Sequence, residues 1–245
     1  MKVKKIVIYF CIVILTFLIY KFASNDKINY VALGDGLSKG INPYGEVSFG
    51  YSDYLSEYLK EKNKLNDYIV EFANSEYRIS DVVNDITINK KVFHDDNNIN
   101  IRSVLRESDL VTISMGFNDL EKLFNVNNIG TALENKSLLE KEIVYIVNNY
   151  NDALILIRKY AKADIVVIGF YNPYQYVYTY KYEIDYYVKK LNSLLLKTCQ
   201  KYNIKFVDLY GVFDNKLNYF PNPSSIYPTE LGYKEIFKLI EKSLN

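Results

Sequence analysis

Five short apolar runs, separated by longer segments with helical spacing, constrain this chain more than any other feature. Tyr30–Leu33, Tyr68–Ala73, Leu110–Ser114, Ile165–Ile168 and Ile204–Val207 have the length and continuous apolar character of buried strands. Between the first three, Tyr51–Lys62 and Ser80–Ile88 read as helices. Ile143, Ile146, Val147, Tyr150, Leu154 and Ile157 then recur on one helical face, as do Ile184, Tyr187, Val188, Leu191, Leu194 and Leu195. Tyr233, Ile236, Phe237, Ile240 and Leu244 mark a last helix, entered through Pro228-Thr229-Glu230. Apolar strands alternating with helices predict an α/β fold: a five-stranded parallel sheet covered on both faces. Ligands of such sheets bind beyond the carboxyl ends of the strands. Asn97–Asn100 and Asn125–Asn128 read as loops, and no Pro- or Ser-rich linker divides the chain.

The amino terminus reads separately. Met1-Lys2-Val3-Lys4-Lys5 is basic, and Ile6–Tyr20 follows without a charge. Those residues in a helix reach about 22 Å, short of a hydrocarbon core of about 30 Å. Val3 and Phe22-Ala23 lengthen the span, with Lys21 snorkelling to the interface. The basic leader predicts a cytoplasmic amino terminus and an external domain. A cleaved signal peptide is the rival, but Lys21 or Phe22 would fall where a small residue is needed for cleavage. Cys11 follows bulky Phe10, which argues against a lipid-modified cysteine. Residues 1–27 are therefore expected to be an uncleaved membrane anchor and 28–245 an extracytoplasmic domain.

Composition excludes several classes. Thirty basic and 29 acidic residues leave a net charge of +1, which argues against a nucleic-acid-binding surface. Residues 28–245 carry 25 basic and 28 acidic side chains, so this part is not drawn to anionic lipid. Cys11 and Cys199 cannot build a disulfide framework or a cysteine zinc site. His94 is the only histidine, which excludes mechanisms that need two and most histidine-rich metal centres. Neither a metal nor a cofactor is expected.

Three strand ends carry a pattern. Gly34-Asp35-Gly36-Leu37-Ser38 follows the first strand and Gly116-Phe117-Asn118-Asp119 the third. Ser224-Ser225-Ile226-Tyr227-Pro228-Thr229-Glu230-Leu231-Gly232-Tyr233 opens the last helix. In this order the segments resemble the SGNH, or GDSL, hydrolase family over about residues 28–245. The resemblance implies a three-layer α/β/α, flavodoxin-like fold. It also implies esterase, lipase, lysophospholipase or carbohydrate-deacetylase chemistry, with no cofactor. The family's nucleophile is the serine of G-D-S-L, and the aspartate and histidine of a late D-x-x-H complete the triad. The oxyanion hole comes from the serine N–H, a glycine N–H and the asparagine of G-x-N-D.

Carried onto this chain, the nucleophile falls on Gly36, the acid on Ser224 and the base on Tyr227. Phe72-Ala73-Asn74-Ser75-Glu76-Tyr77 aligns with the second block, which puts Glu76 at the oxyanion-hole glycine. Asn118, in an intact G-x-N-D, is the one functional side chain that persists. Loss of the serine or the histidine alone costs roughly 10⁶ in kcat in a comparable triad. Tyrosine, with an ordinary pKa of about 10, is a poor general base. The expected protein is thus a degenerate, non-catalytic member that binds or assembles at the cell envelope, with cell-wall glycan, an acyl ligand or a protein as partner. The alternative is an esterase or deacetylase with non-standard residues.

Other candidates have plainer readings. Ser38 would point away from the site, and His94, in Phe93-His94-Asp95-Asp96, reads as a solvated loop residue. Asp35 and Glu76 would suit a glycosidase-like carboxylate pair, but Asp35 reads as a structural turn residue. Asp119 is expected to support the loop that holds Asn118, and Asp208 to be structural. Within Tyr171–Tyr182 tyrosines alternate from Tyr174 to Tyr182, so Tyr174, Tyr176, Tyr178 and Tyr180 would line one side of an extended segment and offer a recognition row. The plain account is composition: 25 tyrosines, with lysine outnumbering arginine 26 to 4, are what an AT-rich coding sequence yields.

Overall fold

The computed structural model describes residues 27–124 and 129–244. The expected anchor over 1–27 and the expected loop over 125–128 therefore fall outside them, apart from Lys27. Among the described residues no helix is long and apolar enough to cross a membrane.

The central sheet is built from β1 (Ile28–Gly34), β2 (Leu65–Ile69), β5 (Leu110–Ser114), β6 (Asp164–Ile168) and β7 (Lys205–Val207), all parallel, in the order β2-β1-β5-β6-β7. Its middle strands are apolar and buried on both faces, as continuous apolar runs require. Helices α2 (Tyr51–Glu61) and α10 (Glu230–Leu244) pack together on one face. On the other lie α3 (Ile79–Ile88), α4 (Ile101–Glu107), α7 (Lys136–Tyr160) and α8 (Lys181–Lys201). The apolar positions that recur in the sequence, such as Ile143, Ile146, Tyr150, Leu154 and Ile157 of α7, are the buried ones. Short helices α1 (Gly36–Lys39), α5 (Phe117–Phe124), α6 (Ile129–Glu134) and α9 (Tyr210–Phe213) complete the order.

Local chemistry sets several ends. Asp53 accepts from Gly50 N at 2.8 Å and Asp81 from Arg78 N at 2.8 Å, so each carboxylate satisfies a free amide at the start of α2 or α3. Asn89, in the left-handed region at φ 56°, closes α3.

Two sequence expectations are corrected. The second strand runs over Leu65–Ile69 rather than Tyr68–Ala73, because the chain turns after Val70, where Ala73 N bonds to Val70 O. Phe72 and Ala73 are buried as turn residues, and only a single bridge joins Ala73 to Gly34. Asn97–Asn100, read as a loop, is strand β4, paired antiparallel with β3 (Lys91–His94). Val92 and Ile99 are cross-strand partners that pack against the core, and this pair holds a hairpin its asparagines would not suggest.

Gly34 fixes how β1 meets β5. Its φ is +123°, and a Cβ there would lie 1.6 Å from the Ser114 carbonyl oxygen. That approach lets Asp35 N donate to Ser114 O at 2.7 Å. Gly34→Ala is expected to destabilise the fold by about 4 kcal/mol or more, measured by urea denaturation.

Candidate active-site cleft

The strand order reverses direction between β1 and β5, and the turns after these two strands carry the site. Asp35 is fully buried there. Its carboxylate accepts from Leu37 N at 3.1 Å, Ser114 Oγ at 2.9 Å and Phe117 N at 3.2 Å. One side chain thus caps α1, ties β1 to β5 and holds the start of α5, which carries Asn118. Asp119 accepts from Ile79 N at 3.1 Å, so it also ties this loop to α3. Asp208, an exposed residue, accepts from Tyr210 N at 3.0 Å and from Asn192 Nδ2 at 2.8 Å, contacts that serve the local fold.

Gly36 and Tyr227 are brought together. A Cβ on Gly36 would lie 2.4 Å from Tyr227 Oη, 2.5 Å from Cζ and 2.7 Å from Cε1. The tyrosine ring therefore stands where a side chain at position 36 would project. Its hydroxyl donates to Ser75 O at 2.8 Å. Burial pushes the phenol further above its ordinary pKa of 10, helped by the carboxylates of Asp35 and Glu121; the Asn118 amide and the Gly36 N–H pull the other way. At neutral pH the phenol is protonated, so it serves as neither base nor nucleophile.

The remaining donors are committed elsewhere. Asn118 Nδ2 donates to Ser75 O and to Tyr77 O, both at 2.8 Å, which uses both amide hydrogens. Glu76 N donates to Asn74 Oδ1 at 3.0 Å, and the Glu76 side chain is exposed. The second block thus directs a carbonyl, Ser75 O, at the phenol and keeps its amide for itself. A developing oxyanion needs donors; this chain presents an acceptor. Ser224 is exposed, and its N–H donates to Asn222 Oδ1 at 3.1 Å. The amide of Tyr227 donates to Ser225 Oγ at 3.1 Å.

An open cleft of about 540 Å³ lies over Tyr227, lined also by Ile41, Gly45, Ser75, Glu76, Arg78, Asn118, Glu121 and Lys122. Arg78, Glu121 and Lys122 carried no signal in the sequence; α3 and α5 bring them there only after packing. Burial raises the Glu121 pKa above the usual carboxylate value. Asp35 lies buried with all its bonds internal, while Glu76 stands at the cleft wall. Ser38 is buried, with Oγ bonded to Leu33 O at 2.7 Å and to Tyr51 Oη at 2.8 Å. His94 is not among the cleft residues: its ring nitrogens face Glu71 and Asp67.

The tyrosine row is not extended. Val177 N bonds to Tyr174 O and Tyr180 N to Val177 O, and the chain coils into a 3₁₀ turn over Tyr178–Tyr180. Residues two apart then no longer share a side. Tyr171 is buried against Phe117, Phe213 and Phe220 and donates to Ile226 O at 2.7 Å. Tyr174 is buried, Tyr176 donates to Leu217 O at 3.1 Å, Tyr180 packs near Gly130, and Tyr178 is 68% exposed.

A parallel sheet in this order, with its cleft where the order reverses, defines a doubly wound, flavodoxin-like α/β protein. The GDSL-like lipase/acylhydrolase family matches residues 30–240, and the chain belongs to that family. Similar solved structures include a lipase from a goat rumen metagenome, with TM-score 0.67 and 21% identity over 87% of this chain and 96% of that one. An extracellular lipase from Streptomyces rimosus gives 0.63 and 17% over 87% and 98%. An acetylxylan esterase from Geobacillus stearothermophilus gives 0.60 and 14% over 88% and 93%. At these identities the likeness is one of fold. No curated protein sequence matches the chain.

Two predictions follow from the cleft. Gly36→Ser alone is expected to cost about 1–3 kcal/mol by overpacking against Tyr227. In a Tyr227→His background most of that cost disappears; a double-mutant cycle measures the coupling, and strict additivity would contradict the contact. Burial raises the Asp35 pKa to about 7, against three hydrogen bonds that favour the anion. The folded protein then binds this proton more tightly than the unfolded chain, so stability falls as pH rises from about 4 to about 7. Relative to Asp35→Asn, the wild type should lose as much as about 4 kcal/mol across that window, measured by urea denaturation at each pH.

Proposed function

We propose that this protein is a non-catalytic, membrane-anchored member of the GDSL family that binds a ligand at the outer face of a cell membrane. The observation that carries the reading is the Tyr227 ring lying against Gly36, where a side-chain nucleophile would project. The protonated phenol, the committed Asn118 amide and the inward Ser75 carbonyl support it. Residues 1–27 act as the anchor in this reading, with the charge-free run Ile6–Tyr20 behind a basic leader.

The cleft suits a polar ligand. Ser75, Glu76, Arg78, Asn118, Glu121 and Lys122 offer donors, acceptors and both charges, whereas Ile41 and Tyr227 are its main apolar surfaces. A cell-wall glycan, polyhydroxylated and able to stack on Tyr227, matches this wall better than an acyl chain.

The purified chain should neither turn over short acyl esters nor become labelled by a fluorophosphonate. The combined changes Gly36→Ser, Glu76→Gly, Ser224→Asp and Tyr227→His should create labelling where the wild type has none. Robust wild-type turnover that disappears on Asn118→Ala would establish the enzyme reading instead.

A further inference from the structure

The single histidine of the chain lies in a cluster away from the cleft. His94 ends β3 with its side chain 11% exposed. Its Nδ1 is 2.9 Å from Glu71 Oε1. Its Nε2 is 3.0 Å from Asp67 Oδ1 and 3.9 Å from Asp95 Oδ2. Asp67 comes from edge strand β2, Glu71 from the turn that follows it, and Asp95 from the tip of the β3–β4 hairpin.

Three observations point to a cation. A neutral imidazole that donates Nδ1–H to Glu71 has a lone pair on Nε2, aimed toward two carboxylates. Acceptors gather around such a ring when it is protonated and donates from both nitrogens, or when a cation sits on the Nε2 lone pair of the neutral ring. Second, Asp67, Glu71 and Asp95 surround one imidazole, and among the described residues no lysine or arginine forms an ion pair with any of the three. Third, the hairpin turn places Asp95 and Asp96 in succession at φ 43° and 62°. Both positions favour Asn-Gly or Asp-Gly, yet here they carry two adjacent carboxylates and no glycine.

We propose that His94 Nε2, Asp67 and Asp95 bind a divalent first-row transition ion, represented by Zn²⁺, which clips the hairpin to the sheet edge. The three donor atoms all lie within 4.8 Å of one another. Donors about 2.0–2.1 Å from a tetrahedral zinc stand about 3.3 Å apart, so a movement of the exposed Asp95 carboxylate by up to about 1.5 Å completes the set. An imidazole with carboxylates selects this class of ion over Ca²⁺ or Mg²⁺, which take oxygen donors. Glu71 on Nδ1 is the outer carboxylate that orients a ligating imidazole and raises its basicity. Water fills the remaining coordination.

The test uses the full-length chain, stripped with a chelator and titrated with ZnCl₂ by calorimetry, with thermal unfolding run in parallel. One saturable site in the micromolar range or tighter is expected, together with a zinc-dependent rise in Tm. His94→Gln and Asp95→Asn should each weaken binding at least tenfold and abolish the Tm shift, and Glu71→Gln should weaken it about tenfold or more. The Asp95 side chain is 89% exposed, so its variant keeps the fold even if a change at His94 does not. Unchanged affinity in Asp95→Asn, or no saturable binding by the wild type at about 100 μM zinc, would overturn the proposal and leave an imidazolium held between carboxylates.

Discussion

The buried carboxylate of Asp35 is the interaction on which the rest of this architecture depends. It joins the turn after β1 to the end of β5 and to the first turn of α5, and it does so without exposure to water. Gly34 makes the junction possible, since only a residue without a Cβ lets β1 come this close to the Ser114 carbonyl. Through that junction the loop with Asn118 and the turn with Gly36 are held in one fixed relation. The scaffold of a hydrolase site therefore persists here for structural reasons, whether or not any chemistry runs on it: removing Asp35 would leave three buried or part-buried donors without their acceptor.

On that scaffold the contents of the cleft fit one another. Gly36 and Tyr227 are complementary in volume, so a ring fills the space that a nucleophile would enter. Tyr227, Asn118 and Ser75 then close a hydrogen-bond set in which the amide hydrogens point at carbonyls. A site that stabilises negative charge needs unspent donors aimed at one point. Here the donors are spent, and the point is taken by a neutral phenol. Neither partner of the Gly36–Tyr227 pair can change alone without a clash or a gap.

The five sheet strands and the main helices that cover them were legible because each depends on local pattern. Leu110–Ser114 is a strand within the predicted limits, and the helices over Tyr51–Glu61, Lys136–Tyr160 and Glu230–Leu244 follow their apolar stripes. The β3–β4 hairpin was not legible, because Asn97, Asn98 and Asn100 have low strand propensity and only Val92 opposite Ile99 supplies the packing. The alternating tyrosines misled for a related reason. Alternation means one shared side only in an extended chain, and turns after Tyr174 send successive tyrosines to the core, to Leu217 and to solvent. The cleft walls Arg78, Glu121 and Lys122 carried no motif at all.

The sequence alone determined the class of fold and the residue types that stand in its three motif segments, since these need no coordinates to be read. Only the tertiary structure decided what those residues touch. That Tyr227 lies on Gly36, that Ser75 turns a carbonyl toward Tyr227, and that His94 meets Asp67 and Glu71 are all relations between parts of the chain far apart in order. Hydrophobic periodicity specifies which face of an element is buried, but the distances between side chains on different elements are set by how those faces pack, and chemistry depends on the distances.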